Sequence, residues 1–480
     1  MAISPSERHW LWPSGASRRP PAQLLQSHFY MRLLFDRGTI VLLDASSVDP
    51  TRLPGALWDP RIAAFRCPAR YYQALLVELR RRSVQFSDEV ADRQTTPTDS
   101  APAIELRPYQ EAALTAWELS ERRGIAVMPT GSGKTRTAIA AIARANVSAL
   151  CLVPTRVLLD QWARAIAELL GVVPGRLGDG ERRIERITVA TFESAWRSMH
   201  RLGNQFGLLI ADEVHHFGVG LRDEVLDMCT APLRLGLTAT KPRGPGALRL
   251  DDFVGPIVYE LRVDELVGEF LAPFDTIVLH LDLTPEERFE YEALMAQFRD
   301  VMHRFQRFHP GATWNEFATI AGRTDEGRRA IAAFHRARKL TAFPVAKRAT
   351  VAALLERHCA SRTIVFTADN PTAYAISREH LIMPLTCDIG RRERERVLAL
   401  FREGKLRALV SAQVLNEGLD VPDAEVGIVV AGSKGEREHV QRVGRVLRPR
   451  PGKHALVYEL VVRATGEVKA ARRRRDALAA

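Results

Sequence analysis

Lys134 and Thr135 close a glycine-rich stretch, Met128-Pro-Thr-Gly-Ser-Gly-Lys-Thr135, whose residue types suit the cradling of phosphates. Gly131 and Gly133 can take backbone angles that other residues resist. The N–H groups of Thr130, Gly131, Ser132 and Gly133 can therefore turn inward toward phosphate oxygens. Lys134 is placed to reach the β- and γ-phosphates of a nucleotide, and Thr135 to hold a magnesium ion. The strict phosphate-loop pattern has Gly at 128, where this chain has Met. Further on, Asp212 and Glu213 end the mainly apolar run Phe206-Gly-Leu-Leu-Ile-Ala211. Asp212 can hold the same metal, and Glu213 can orient or deprotonate an attacking water. A third group is Gln441-Arg-Val-Gly-Arg-Val-Leu-Arg448. Arg445 and Arg448 share a helix face, and two such guanidiniums can stabilise charge on a γ-phosphate in the transition state. A cradle, a metal ligand, a water-positioning carboxylate and closing arginines are the parts that phosphoryl transfer needs.

These residues need particular elements to hold them. The apolar run 124–128 reads as a strand and 136–143 as a helix, so the loop sits between strand and helix, where the helix N-terminus adds positive potential. Asp212 falls at the C-terminal end of a buried strand. Residues 149–153 give another strand, and Leu158, Trp162, Ile166 and Leu169 mark one face of the next helix. Residues 362–366, 408–411 and 426–430 read as parallel strands of a second domain. Gly418 and Asp420 fall in a loop after one of them, facing the cleft between domains. Each group lies at a strand C-terminal end, where open parallel sheets bind ligands.

The three groups, in this order, resemble the superfamily 2 helicases and translocases over about residues 104–462. Leu106-Arg-Pro-Tyr-Gln110 resembles that family's adenine-reading segment, which implies that Arg107 and Gln110 read the base. Leu152-Val-Pro-Thr-Arg156 and Val189-Ala-Thr-Phe192 resemble segments that grip a nucleic-acid backbone. Leu237-Thr-Ala-Thr240 resembles the motif linking hydrolysis to strand movement, with His215 as the relay to it. Thr363-Ile-Val-Phe-Thr367 and Asn416-Glu-Gly-Leu-Asp-Val-Pro422 resemble pieces of the second motor domain. Within the superfamily the chain resembles the XPB-type DNA helicases, with UvsW-like phage helicases as neighbours. The residues that carry this are the Asp212-Glu-Val-His215 box, and Arg234-Leu-Gly-Leu-Thr-Ala-Thr240 leading to Phe253-Val-Gly-Pro-Ile-Val-Tyr-Glu260. Trp58-Asp-Pro-Arg61, Phe65-Arg-Cys-Pro68 and Tyr71-Tyr72 resemble the small damage-recognition-type domain of archaeal XPB proteins. The resemblance implies two tandem RecA-like domains and dependence on ATP and Mg2+. One element departs from the family: no Glu-Asp follows Arg243, as the strand-opening Arg-Glu-Asp element requires, and Asp251 and Asp252 come too late. Translocation is therefore expected with more force than unwinding.

The expected fold is α/β, with a small α+β N-terminal domain and a helical thumb-like insertion. The expected divisions are a leader at 1–29, the small domain at 30–88, a linker at 89–103 and motor domain 1 at 104–265. A connecting segment with the thumb follows at 266–345, then motor domain 2 at 346–465 and a mobile basic tail at 466–480. The small domain reads as a hairpin turning at Asp36-Arg-Gly38, a helix over 70–82 and an extended 83–86. The insertion reads as a helical hairpin started by Thr284-Pro-Glu-Glu287, with Arg304, Arg307 and Arg323 as phosphate contacts if it rests on DNA. The 480 residues carry a net charge of +11, and 434–475 hold 13 Lys or Arg against 4 Asp or Glu. That balance suits DNA, held mostly by its backbone, as partner. A nuclease or repair protein is a further expected partner, implied by resemblance. No apolar run approaches a membrane span, and widely spaced Cys67, Cys151, Cys229, Cys359 and Cys387 read as buried thiols of a cytoplasmic protein. His215 and His216 are expected to diverge from a strand end rather than share a metal. Three other readings stay open: a duplex translocase that separates no strands, a non-enzymatic DNA-binding scaffold, and a motor on RNA.

Overall fold

The turn Asp36-Arg-Gly38 is the first feature of the computed structural model, which describes residues 31–45, 49–90, 102–220, 222–262, 265, 273–412, 424–431 and 454–479. Arg37 and Gly38 take φ of 50° and 84°, the positive angles that a two-residue hairpin loop demands. They join β1 (Met31–Asp36) to β2 (Thr39–Leu43). With β3 (Leu57–Asp59), β4 (Ala64–Pro68) and β5 (Phe86–Glu89) the sheet order is β3-β4-β2-β1-β5. Helix α1 (Tyr72–Arg81) buries Tyr72, Leu75, Leu76 and Leu79, an i, i+3, i+4, i+7 face, against it. Ser83 takes φ 55° to end the helix, so the extension expected at 83–86 starts only at Phe86. This small domain rests on the next one: Arg70 pairs with Asp227 at 3.0 Å, and the Asn204 amide donates to the Val90 carbonyl at 2.8 Å.

The second sheet contains β6 (Arg123–Val127), β7 (Ala149–Val153), β8 (Gly175–Gly178), β9 (Glu181–Arg183), β10 (Ile187–Thr191), β11 (Leu208–Asp212), β12 (Leu233–Thr238) and β13 (Ile257–Glu260). Its order is β13-β6-β12-β11-β7-β10-β8-β9, parallel throughout except for the edge pair β8–β9. Strands β7 and β11 are buried along their whole length, as befits parallel strands covered on both faces. The covering helices include α2 (Pro108–Leu119), α3 (Lys134–Ala145), α4 (Arg156–Leu170) and α5 (Phe192–Leu202), then the short α6 (Glu224–Asp227) and α7 (Pro245–Phe253). Trp162 and Ile166 of α4 are fully buried, on the face read from the sequence.

The third sheet begins earlier than expected. Strand β14 (Phe274–Leu281) comes before the insertion, yet pairs in parallel with the distant β19 (Ala455–Val462) over eight residues. The chain thus enters the second motor sheet before the insertion, and not at 346. The insertion is three helices, α8 (Pro285–Phe308), α9 (Trp314–Ala321) and α10 (Asp325–Ala342). Thr284 and Glu287 form the reciprocal N-terminal cap of α8. Phe298, Phe317, Phe334 and Trp314 pack as an aromatic core of its own. After α11 (Val345–Arg357) come β15 (Thr363–Phe366), α12 (Asn370–His380), β16 (Met383–Leu385), α13 (Arg391–Arg402), β17 (Ala408–Ser411) and β18 (Val426–Val429). The described sheet runs β14-β19-β18-β15-β17-β16, all parallel.

Two further expectations change. Residues expected as a mobile tail form helix α14 (Gly466–Ala479). Its Arg474 donates to the fully buried Glu459 of β19 at 2.6 and 2.9 Å, and its Glu467 pairs with the fully buried Lys347 at 2.8 Å. Of the five free thiols, Cys359 and Cys387 are exposed and only the other three are buried. Burial pushes the Cys67 thiol up to about 12. Among the described residues no helix is long and apolar enough to cross a membrane.

Candidate active site

Adjacent strands β6, β12 and β11 bring the site together, because each ends in one of its segments. After β6, the Met128 N–H donates to the Thr238 carbonyl of β12 at 2.9 Å. Met128 is fully buried, so this non-glycine residue ties the loop's first turn to the neighbouring strand. Gly131 and Gly133 then take φ of 88° and 84°, which turns the backbone into α3. A Cβ on Gly133 would stand 2.3 Å from the Gln110 amide nitrogen, so glycine is required there for contact as well as for angle. Ser132 hydroxyl donates to the Pro129 carbonyl at 2.7 Å.

The segment expected to read adenine braces this loop. Gln110 is buried; its amide donates to the Ser132 carbonyl at 2.8 Å and its oxygen accepts from the Arg107 N–H at 3.0 Å. The Tyr109 hydroxyl donates to the same Ser132 carbonyl at 2.9 Å, and Arg107 donates to that hydroxyl at 3.0 Å. Both ends of the Gln110 amide are thus engaged within the protein.

Lys134 donates to the carbonyls of Met128 at 3.2 Å and Pro129 at 3.3 Å. Thr135 is half-buried and lines a cleft of about 690 Å³ that runs between α4 and α13, with Asp160, Arg176, Arg394 and Glu395 among its walls. At the end of β11 the Asp212 carboxylate is 5% exposed. It accepts from the Trp162 indole at 2.9 Å and from the Glu213 N–H at 3.0 Å. Burial and the neighbouring Glu213 charge push its pKa up to about 6, while Lys134 pulls the other way. Glu213 itself takes φ 51°, a left-handed angle that strains a non-glycine residue at a site of chemistry. That angle starts a short 3-10 turn, Val214–His216. The expectation that His215 and His216 diverge is therefore wrong: their rings stack, with centroids 4.5 Å apart. His215 Nδ1 lies 3.0 Å from the Thr238 hydroxyl and 3.4 Å from the Glu213 carboxylate. The Thr238 hydroxyl in turn donates to the Thr240 carbonyl at 3.0 Å.

These residues fit a magnesium-bound nucleotide. Two adjacent carboxylates, one of them almost fully buried, call for cationic charge beyond Lys134. Among the described residues the buried hydroxyls of Thr130 and Thr240 have no hydrogen-bond partner, a costly state for groups of this kind. Among the described residues no cluster of three His, Cys, Asp or Glu could hold a metal unaided. Gly418, Asp420, Gln441, Arg445 and Arg448 lie outside the described residues. In the insertion, Arg304 is paired with both Asp300 and Glu326, which occupies it; Arg307 and Arg323 are exposed. The sequence reading missed Trp162 as the donor to Asp212. It marked only a buried helix face, and nothing local connects that residue to a carboxylate on β11.

Asp212 gives a pH prediction. Its folded pKa lies above the unfolded value, so the native state holds this proton more tightly. Its contribution is therefore best at low pH and is lost as pH rises through about 6. Asp212→Asn removes that titration. Between about pH 4 and pH 7 the stability of the nucleotide-free variant relative to wild type should rise by on the order of 2 kcal/mol. Urea unfolding across that range checks it; a constant difference would mean that Asp212 ionises as in water.

Residues 33–90 match the family described as xeroderma pigmentosum group B helicase damage recognition domain. Residues 103–243 match the type III restriction enzyme res subunit, and 346–450 the helicase conserved C-terminal domain. The chain is 36% identical over 425 residues to the DNA 3'-5' translocase XPB2 of Sulfurisphaera tokodaii, which covers 88% of this chain and 96% of that protein. It is 28% identical to the DNA 3'-5' helicase XPB of Mycobacterium tuberculosis, over 78% of this chain and 64% of that one. Among solved structures, S. cerevisiae Dbp5 bound to RNA and ADP BeF3 superposes with a TM-score of 0.51 at 16% identity, over 78% of this chain and 88% of the other; this likeness is one of fold.

Proposed function

Because the chain belongs to the XPB-type helicases of superfamily 2, we propose that it is a DNA motor that hydrolyses ATP and moves with the 3'-5' polarity its relatives' names carry. One observation supports the reading most. The loop that carries Lys134 follows one of three adjacent parallel strands and Asp212 and Thr238 end the other two, with His215 Nδ1 3.4 Å from the Glu213 carboxylate and 3.0 Å from the Thr238 hydroxyl. A magnesium ion, when bound, neutralises phosphate charge and orients the triphosphate. Thr135 and Asp212 hold it. The amides of Thr130, Gly131, Ser132 and Gly133 and the Lys134 ammonium hold the phosphates. Lys134 must leave the carbonyls of Met128 and Pro129 to do so. Glu213 orients the attacking water and accepts its proton. Loss of the γ-phosphate changes the charge that Glu213 and His215 face, and His215 passes the change to the Thr238-Ala-Thr240 segment. Arg107 and Gln110 read the base, for which Gln110 must leave the Ser132 carbonyl and the Arg107 N–H, and Gln441, Arg445, Arg448, Gly418 and Asp420 complete the site from the second motor domain. DNA crosses both motor domains through backbone contacts, so sequence preference is low. A nuclease or repair protein is the proposed protein partner.

A second reading within motors is a duplex translocase that leaves strands paired. Arg243 is exposed and no Glu-Asp follows it, which favours this reading. Parallel assays of triplex displacement and strand displacement on one preparation decide. Both activities indicate a helicase. Triplex displacement alone indicates a translocase.

A further inference from the structure

A cavity of about 820 Å³ lies where the insertion meets the third sheet. The insertion side carries Met295 of α8 and Phe334, Arg338 and Lys339 of α10. The motor-domain side carries Asp369, three residues past the end of β15, and Ala431, two past the end of β18. In the described sheet β15 and β18 are neighbours. From β15 the strands that follow, β16 and β17, lie on one side, while β18 and β19 lie on the other. Open parallel sheets bind ligands outside the strand carboxyl ends at such a reversal of order, and nucleotides above all. The volume is that of a site for a small ligand. Two of the charged groups around it are already matched. Arg474 pairs with the buried Glu459, and Glu467 with the buried Lys347. Arg338 and Lys339 are exposed, and among the described residues no ion pair holds either; the nearby Arg336 pairs with Glu290. The Arg338 guanidinium lies 6.0 Å from the centre of the Phe334 ring. His335, also on the rim, packs edge-on against Trp314. Asp369 caps α12, its Oδ1 accepting from the Thr372 N–H at 2.8 Å. Among the described residues its Oδ2 has no partner.

We propose that this cavity is a second nucleotide site, separate from the hydrolytic one, and that it takes a single guanine nucleotide. The base lies against Met295 and Phe334, its N–H groups donate to Asp369, and Arg338 and Lys339 hold the phosphate. An unstacked base is read in a pocket by its Watson–Crick edge and by contact with aromatic and apolar side chains. Guanine offers two adjacent N–H donors on that edge, the match for one carboxylate. Thymine offers one N–H flanked by two carbonyls, which a carboxylate repels. Two cations on one rim suit a phosphate, and an arginine beside an aromatic ring suits a base next to it. None of the residues assigned to hydrolysis lines the cavity. A free nucleotide and one nucleotide of a DNA strand share this chemistry, and the test separates them. The site stands apart from the motor reading, because its occupancy is read without hydrolysis.

The test irradiates the full chain with thioguanosine monophosphate, or with a single-stranded DNA that holds one thioguanine, and maps the crosslinked peptides by mass spectrometry. Both probes keep the two N–H donors. The site predicts crosslinks on α8, on α10 or on the turn between β15 and α12. Crosslinks there from the free nucleotide identify a mononucleotide ligand, and crosslinks there from DNA alone identify one unit of a strand; either result upholds the site. Arg338→Glu with Lys339→Glu changes two exposed positions and should lower the yield by about tenfold or more. Asp369→Asn keeps a side chain that caps α12 but turns one acceptor into a donor, and should lower it by about tenfold. Thermal unfolding of each variant, unchanged from wild type, shows that the fold is kept. Crosslinks confined to the phosphate loop 128–135, or spread over the surface, overturn the proposal. So do cavity crosslinks of undiminished yield in both folded variants.

Discussion

Lys134→Ala should lower ATP turnover by about 10²–10³-fold or more while leaving DNA binding within a few-fold of wild type. The ammonium is the one cation placed inside the phosphate loop, and positioning plus charge is nearly all that catalysis of phosphoryl transfer asks of a protein. The fold should survive. Among the described residues the ammonium donates to the carbonyls of Met128 and Pro129, at 3.2 and 3.3 Å, and the loop is held independently by Gln110 and Tyr109 on the Ser132 carbonyl. Single-turnover hydrolysis with saturating nucleotide, beside a filter-binding titration with duplex DNA, measures both halves. Turnover within about tenfold of wild type would contradict the assignment of the loop.

Arg474→Ala should destabilise the second motor domain by about 3 kcal/mol. Glu459 is fully buried on β19 of the third sheet, and Arg474 supplies its two short hydrogen bonds. Arg475 remains 3.5 Å away, an incomplete replacement. Removing Arg474 alone leaves a buried charge short of its partner. Changing both, as Arg474→Met with Glu459→Leu, should restore most of the loss, because two apolar residues of similar size need no partner. Urea unfolding of the three proteins separates these outcomes. A loss below about 0.5 kcal/mol in the single variant would mean that α14 is not seated against the sheet.

Features set by a few neighbouring residues were legible in the sequence. The loop 128–135, the strand ending at Asp212, the α8 cap and the hairpin at Arg37–Gly38 each follow from local angles and periodicity. What escaped depends on residues far apart in the chain. Trp162 reaches Asp212 across 50 positions, and β14 finds β19 only after the whole insertion and third sheet intervene. The stretch 466–475 read as a solvated basic run because charge is usually exposed. Which of its arginines turns inward depends on Glu459, a residue that the run itself does not contain. The His215–His216 stack escaped for another reason. It follows from the left-handed φ of Glu213, which the sequence of an acidic residue does not announce. Gln110 shows the same limit: its place in a motif suggested the base, and its packing adds a role in holding the loop.

The most direct measurement is ATP hydrolysis at one fixed salt concentration with no nucleic acid, then with single-stranded, duplex or forked DNA, then with RNA, since backbone binding varies steeply with salt. A DNA motor predicts stimulation of about tenfold or more by DNA, greatest with duplex or fork, and little with RNA. Equal low rates under every condition, or stimulation by RNA as strong as by DNA, would contradict it.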